Sequence, residues 1–141
     1  MKIVPIGAPL LPKVWQHVAP LLNKAVRLSP ELIRINDVYE ACLKGVYVVW
    51  VALDEDSGEF VGVISTRIID YPRRKALAMD FVGGSRMKEW LGMAQEAVEE
   101  HAKRNGCSHL EAYGRRAWSK YLAPLDWEQA YITFKKDLTN E

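Results

Sequence analysis

The chain has 141 residues, 49% hydrophobic and 26% charged, with a formal net charge of +1. That length supports one domain with a real core and is too short for two. A charge so near neutral speaks against nucleic acid or an anionic membrane as partner.

Read in chain order, Ile3 to Ile6 form a short strand, and Leu11 onward is helical, with Val14, Val18, Leu21, Leu22 and Ala25 at three- and four-residue spacing. Pro12 suits a first turn, whereas Pro20 lacks an amide donor and is expected to kink or split the helix. Ser29-Pro30-Glu31 has the chemistry of a second helix start, Leu32, Ile35, Val38 and Cys42 form its apolar stripe, and Gly45 ends it. The period then changes. Val46 to Leu53 reads as a strand buried on both faces, Asp54 to Gly58 as a turn, and Glu59 to Tyr71 as its hairpin partner.

Lys75 to Val82 is a third strand of this group. Ser85 to Asn105 is the longest helix, with Met87, Trp90, Leu91, Ala94, Ala97, Val98 and His101 on one face, and Asn105-Gly106 stops it. Ser108 to Tyr113 is a strand, Arg115 to Leu122 a short helix, and Glu128 to Leu138 a closing strand with alternating character. The expected fold is a single mixed α/β (α+β) domain, mostly antiparallel, in the order β-α-α-β-β-β-α-β-α-β.

Cys42 and Cys107 stand alone, without a CxxC or a histidine at ligand spacing, so no metal is expected and a reducing compartment is. Pro5, Pro9 and Pro12 interrupt any apolar leader, and no apolar run approaches the ~18 residues of a membrane span. A cytoplasmic location follows. The basic runs Arg73-Arg74-Lys75 and Arg115-Arg116 are short and read as solvated faces.

The passage Phe81-Val82-Gly83-Gly84-Ser85-Arg86-Met87-Lys88 takes a strand through two glycines into the long helix. Such a turn is either tight packing or an anion cradle, because the first amides of a helix are unpaired and its dipole favours negative charge. This passage, the order of elements and the ending "EAYGRRAWSKYLAPLDWEQAYITFKKDL" resemble the GNAT superfamily of N-acyltransferases. "STRIIDYPRRKAL" and "GRRAWSKYL" look like small GNAT-like proteins of tailed phages and prophages.

The resemblance implies acetyl-coenzyme A as co-substrate, an amine acceptor and no metal. It places the coenzyme pyrophosphate on Gly83, Gly84, Ser85 and Arg86, with Lys88 and Arg116 as further cofactor contacts, and a thioester-polarising amide at Phe81 or Val82 beside a strand bulge. The family's usual Arg/Gln-x-x-Gly-x-Gly/Ala loop is absent, and the loop here is shorter. Asp80, an acid in an apolar strand, is either a general base or the partner of an arginine such as Arg67, and Glu111 in the next strand has the same two readings. The general acid for the thiolate would be Tyr121 counting from Ala117, or would fall on Leu122 counting back from Asp126-Trp127. Asp37 and Glu40 would face the acceptor. A catalytically degenerate binding or virion-associated module is the alternative, and a homodimer through the closing strand is open.

Overall fold

The protein is seen in a computed structural model that describes residues 1–28, 32–114 and 116–139. The elements run β1 (Lys2–Ile6), α1 (Leu11–Val26), α2 (Ile35–Leu43), β2 (Val48–Leu53), β3 (Phe60–Asp70), β4 (Lys75–Gly84), α3 (Met87–Arg104), β5 (Cys107–Ala112) and α4 (Ser119–Leu122), the last flanked by single tight turns at Arg116–Trp118 and Ala123–Leu125. One five-stranded sheet is ordered β1-β2-β3-β4-β5. Every pair is antiparallel except β4 and β5, which α3 connects as a parallel crossover.

A sheet buried on both sides needs two apolar layers. Val18, Leu22, Val26, Val38 and Cys42 of α1 and α2 pack on Val49, Val51, Val63 and Phe81. Trp90, Leu91, Ala94 and Val98 of α3 pack on Trp50, Ala52, Ile64, Leu77 and Met79. Successive β2 residues alternate between the two layers, which is why the whole strand reads as apolar. Each fully buried Val, Leu, Ile or Met among them contributes roughly 1.5–3 kcal/mol.

The expected mixed sheet is found, with four departures. Pro20 does not divide α1, which runs unbroken; the buried Val18, Leu22 and Val26 hold it together across the missing amide. The second helix begins at Ile35. Ser29-Pro30-Glu31 lies outside the described residues, Leu32 is 86% exposed rather than on the stripe, and Arg34 is the N-cap. The Arg34 amide donates to Asp37 Oδ2 at 2.9 Å, so Asp37 serves as a cap. Val46 lies outside β2 and is exposed.

The fourth departure is the closing strand. Residues 127–139 form no ladder with the sheet, whose outer strand on this side is β5. Their start is tied down: Trp127 Nε1 donates to Gln95 Oε1 at 2.6 Å, and Gln95 Nε2 donates to the Leu125 carbonyl at 3.0 Å. Beyond it Tyr131, Ile132, Phe134 and Leu138 stand in solvent.

Candidate active site at the top of β4

Opposite β4, Thr66 of β3 faces Met79 and Ser65 faces Phe81, which leaves Asp80 as an extra residue. This is a β-bulge, and it turns Asp80 out of the ladder. The bulge has its own support in Ser65, whose buried Oγ accepts the Phe81 amide at 3.1 Å. The Phe81 amide named as a polarising donor is thus bonded inside the protein, while Val82 continues the ladder opposite Ile64.

Asp80 takes both ends of one guanidinium: Arg67 Nε donates to Oδ2 at 2.6 Å and Nη2 to Oδ1 at 3.3 Å. Its side chain is only 10% exposed, so this forked pair supplies the partner that a sequestered carboxylate requires. Tyr47 lies beside the pair, its phenol pushed up by burial first and then by the negative Asp80.

β5 accompanies β4 only as far as Met79 opposite Ala112. Above that level the outer edge of β4 is open, from Asp80 to Gly84. On the β5 wall, Glu111 collects three donors. Tyr71 Oη reaches both carboxylate oxygens at 2.9 Å, Tyr113 Oη reaches Oε1 at 2.5 Å, and His109 Nε2 reaches Oε2 at 2.8 Å. Burial raises the carboxyl's pKa, but the bonds from Tyr113, His109 and Tyr71 outweigh it and hold Glu111 below the ordinary range. The Tyr113 phenol is pushed far up, by burial and then by its bond to Glu111.

Gly83 and Gly84 are the last residues of β4, opposite Val63 and Gly62, and not a loop. A Cβ on Gly83 would sit 2.2 Å from the Leu21 carbonyl oxygen of α1; on Gly84, where φ is 120°, it would sit 2.3 Å from the Val61 oxygen. Close packing therefore accounts for both glycines without any ligand. The connection to α3 is Ser85 and Arg86 alone. The Ser85 amide donates to the Val61 carbonyl at 2.9 Å, and the buried Trp90 indole donates to the Ser85 carbonyl at 2.7 Å. Glu89 N donates to the Arg86 carbonyl at 2.9 Å, whereas the amides of Arg86, Met87 and Lys88 have no acceptor among the described residues. That is the orphan donor row of a helix N-terminus.

Arg86, in the left-handed region at φ 56°, does not reach into open space. Its guanidinium bonds Glu89 twice, at 2.6 and 3.0 Å, and Asp54 Oδ2 at 2.8 Å. Glu89 and then Asp54 raise its pKa far up, and both carboxyls are held below their usual range, chiefly by Arg86. Gly84, Ser85, Arg86, Met87, Lys88 and Glu89 line a cleft of about 410 Å³, and the remaining lining residue is Tyr121 of α4. Tyr121 packs on Trp118 with ring centroids 5.4 Å apart, and Lys120 Nζ lies 5.1 Å from the centre of its ring.

The structure thus brings Tyr121 to Ser85, Arg86 and Lys88, and sets Phe81, Val82 and Asp80 just below them on the same strand. It leaves Glu111 on the neighbouring wall, bonded to its own cluster. Glu40 is exposed on α2, and the Arg116 side chain lies outside what is described. His101 packs edge-on to Trp50 at 5.3 Å, and burial first, then Arg104, lowers its pKa. Among the described residues, no three His, Cys, Asp or Glu side chains converge as metal ligands would.

No family model matches the sequence, and no curated protein matches it either. Solved structures do. A probable acetyltransferase superposes with a TM-score of 0.76 over 100% of both chains at 11% identity. An aminoglycoside N-acetyltransferase solved with CoA gives 0.73, covering 98% of this chain and 95% of that one at 15% identity. The glucosamine-6-phosphate N-acetyltransferase of Arabidopsis thaliana gives 0.67 over 98% of each at 18% identity. The chain has the acetyltransferase fold. At these identities the likeness is one of fold, and the chemistry must be argued from the residues of the site.

Several of those residues escape a reading of the sequence for motifs. His109 and Glu111 of β5, with Tyr113 just beyond its end, do carry a signal, since alternate positions of an extended chain share one face. Ser65, Asp54, Tyr47 and Tyr71 carry none, because their roles depend on strand register across the sheet.

Proposed function

We propose that the chain is an acyl-CoA-dependent N-acyltransferase that moves an acetyl group to an amine by direct attack in a ternary complex. The supporting observation is the cleft in which Tyr121 faces the unpaired amides at the start of α3. Those amides and Lys88 suit the pyrophosphate of the co-substrate, at roughly 0.3–1 kcal/mol for each favourable charge at a helix terminus. Acetyl-CoA supplies an activated thioester and a thiolate leaving group. The Tyr121 hydroxyl is a proton donor on that side of the cleft. The acceptor amine belongs on the open upper edge of β4, between the Arg67–Asp80 pair and the Glu111 cluster, where carboxylates favour a cationic substrate before it loses its proton.

One set of contacts favours the second reading, a binding module without catalysis. Asp80, Glu111 and Arg86 each already have full-strength partners within the protein. A base that must first release an arginine is a poor base.

A thermal-shift titration with acetyl-CoA, free CoA and no ligand tests the cofactor site. Ligand at one hundred times its dissociation constant stabilises by about 2.7 kcal/mol, a shift of several degrees for a domain of this size. Thiol release with a panel of amines then separates the two readings. Tyr121→Phe is expected to lower kcat about 10²-fold with the thermal shift retained. A shift without thiol release from any amine supports the binding module, and no shift at millimolar ligand rejects both the cradle and the enzyme.

A further inference from the structure

The sheet has a second bulge. Lys75 of β4 pairs with Cys107 and Ala76 with His109, so Ser108 is an extra residue on β5, as Asp80 is on β4. Neighbouring residues of a regular strand point to opposite faces. The bulge cancels that alternation for one step and brings Ser108 to His109, with Ser108 Oγ 2.9 Å from His109 Nδ1. The other ring nitrogen, Nε2, lies 2.8 Å from Glu111 Oε2. Hydroxyl, imidazole and carboxylate thus stand in one hydrogen-bonded row on an outer strand of the sheet.

The protons of this row follow from its carboxylate end. A carboxylate only accepts, so the ring nitrogen that faces Glu111 carries a hydrogen. In the neutral imidazole that leaves Nδ1 bare, with its lone pair toward Ser108. Two acceptors then compete for the single Ser108 hydrogen: Nδ1 at 2.9 Å and the Lys75 carbonyl at 3.2 Å. The ring nitrogen is the nearer and the more basic. Tyr71 and Tyr113 fix the far end by donating to Glu111, and the Tyr71 ring lies nearly parallel to the imidazole, with centroids 6.4 Å apart. The hydroxyl therefore has a proton acceptor beside it, and behind that acceptor stands a negative group for the charge the ring would gain.

We propose that Ser108 is a nucleophile acylated by activated carboxylic esters, with His109 as its base and Glu111 orienting that base. As Ser108 Oγ bonds the ester carbonyl carbon, its proton passes to His109 Nδ1. The bond from that carbon to the leaving oxygen then breaks, and the leaving oxygen takes the proton from Nδ1. Water adds to the acyl-serine by the same route, releasing the acid and restoring the hydroxyl. The row is a single activating device, so it suits esters with a good leaving group, such as aryl esters. This chemistry sits at the foot of β5 and is independent of the co-substrate cleft at the far end of β4.

Labelling of the full chain with a fluorophosphonate, followed by peptide mass spectrometry, tests this. The probe forms a P–O bond at an activated hydroxyl and loses fluoride. Label is expected on Ser108 about 10²-fold faster than on Ser57, an exposed serine in the turn between β2 and β3. Ser108→Ala is expected to abolish both this label and the hydrolysis of p-nitrophenyl acetate, and His109→Gln to slow both about 10²-fold. Ser108 and His109 are exposed, so the urea midpoint of either variant is expected to stay close to that of the wild type. Label on Ser108 no faster than on Ser57 overturns the proposal, as does a rate that survives His109→Gln. So does acetyl from p-nitrophenyl acetate on Cys107 or Lys75 in place of Ser108.

Discussion

The lower half of β4, Lys75 to Met79, lies between two strands, whereas the upper half, from Asp80 to Gly84, has only β3 beside it among the described residues. Below, small and medium apolar side chains fill both layers and the strand could belong to any buried sheet. Above, almost every residue has a special demand: a bulge, a carboxylate needing a guanidinium, an amide needing Ser65, two glycines pressed against main chain. The contrast shows where the fold departs from regular pairing, and the cleft with Tyr121 lies at that end. Local irregularity is costly, and the protein supports it with specific polar partners and with the close passage of α1.

The largest test of that contrast is Gly83→Ala. Its Cβ would meet the Leu21 carbonyl, main chain that cannot rotate away, and the expected loss is about 3 kcal/mol, read as a fall in the urea midpoint. A comparable change below the bulge, Ala78→Gly, is expected to cost only about 0.5–1 kcal/mol. Equal losses at the two positions would erase the distinction.

Asp80→Asn comes next. It leaves Arg67 facing a neutral group, and because Arg67 is one-third exposed the expected cost is about 1–2 kcal/mol, well short of a fully buried pair. Arg67→Met alone and the double variant complete the cycle; a double variant less destabilised than the sum of the singles shows the coupling. If instead Asp80→Asn leaves stability untouched and abolishes acyl transfer, the carboxylate is acting as a base.

Glu111→Gln probes the β5 wall through pH. A carboxyl held below its unfolded value contributes stability that is fully present above that value, near 4.3, and is lost as pH falls through the lower folded value. The wild type is therefore expected to exceed the variant by about 1 kcal/mol at pH 7, and the gap to close below about pH 4. A gap that stays constant from pH 7 to pH 3 contradicts this.

The smallest change in stability is expected for Arg86→Ala, read as a urea midpoint close to that of the wild type, since Arg86 and Glu89 are exposed and only Asp54 is half-buried. Its effect on coenzyme affinity is larger. With the guanidinium gone, Glu89 and Asp54 are uncompensated beside the amide row, and the acetyl-CoA thermal shift is expected to shrink several-fold.

These residues also show what one sequence makes legible. Hydrophobic period placed the helices and the sheet strands, and the strand-to-helix passage at Gly83 stood out because glycine pairs have few uses. An arginine partner for Asp80 was readable as a requirement, since a carboxylate among apolar neighbours must find a cation. The bulge was less so: it depends on Ser65, a hydroxyl on another strand whose position follows only from register. The convergence of Tyr71 and Tyr113 on Glu111 likewise joins separate strands. The start of α2 went astray because the capping chemistry at Ser29 is a local preference, while the observed start uses the less usual pair Arg34 and Asp37. The alternation after Trp127 read as a closing strand, but the structure forms none there, because a pattern supplies only one side of a ladder.

The Trp90 indole bond to the Ser85 carbonyl has a thermodynamic consequence. With the Ser85 amide already on Val61 and its carbonyl on a buried ring, the two-residue connection between sheet and helix has no slack. Ordering a loose loop costs about 1–2 kcal/mol for each residue fixed. Here that entropy is lost when the protein folds, so an anion arriving at the amide row meets a rigid receptor and its binding energy is not diverted into shaping one.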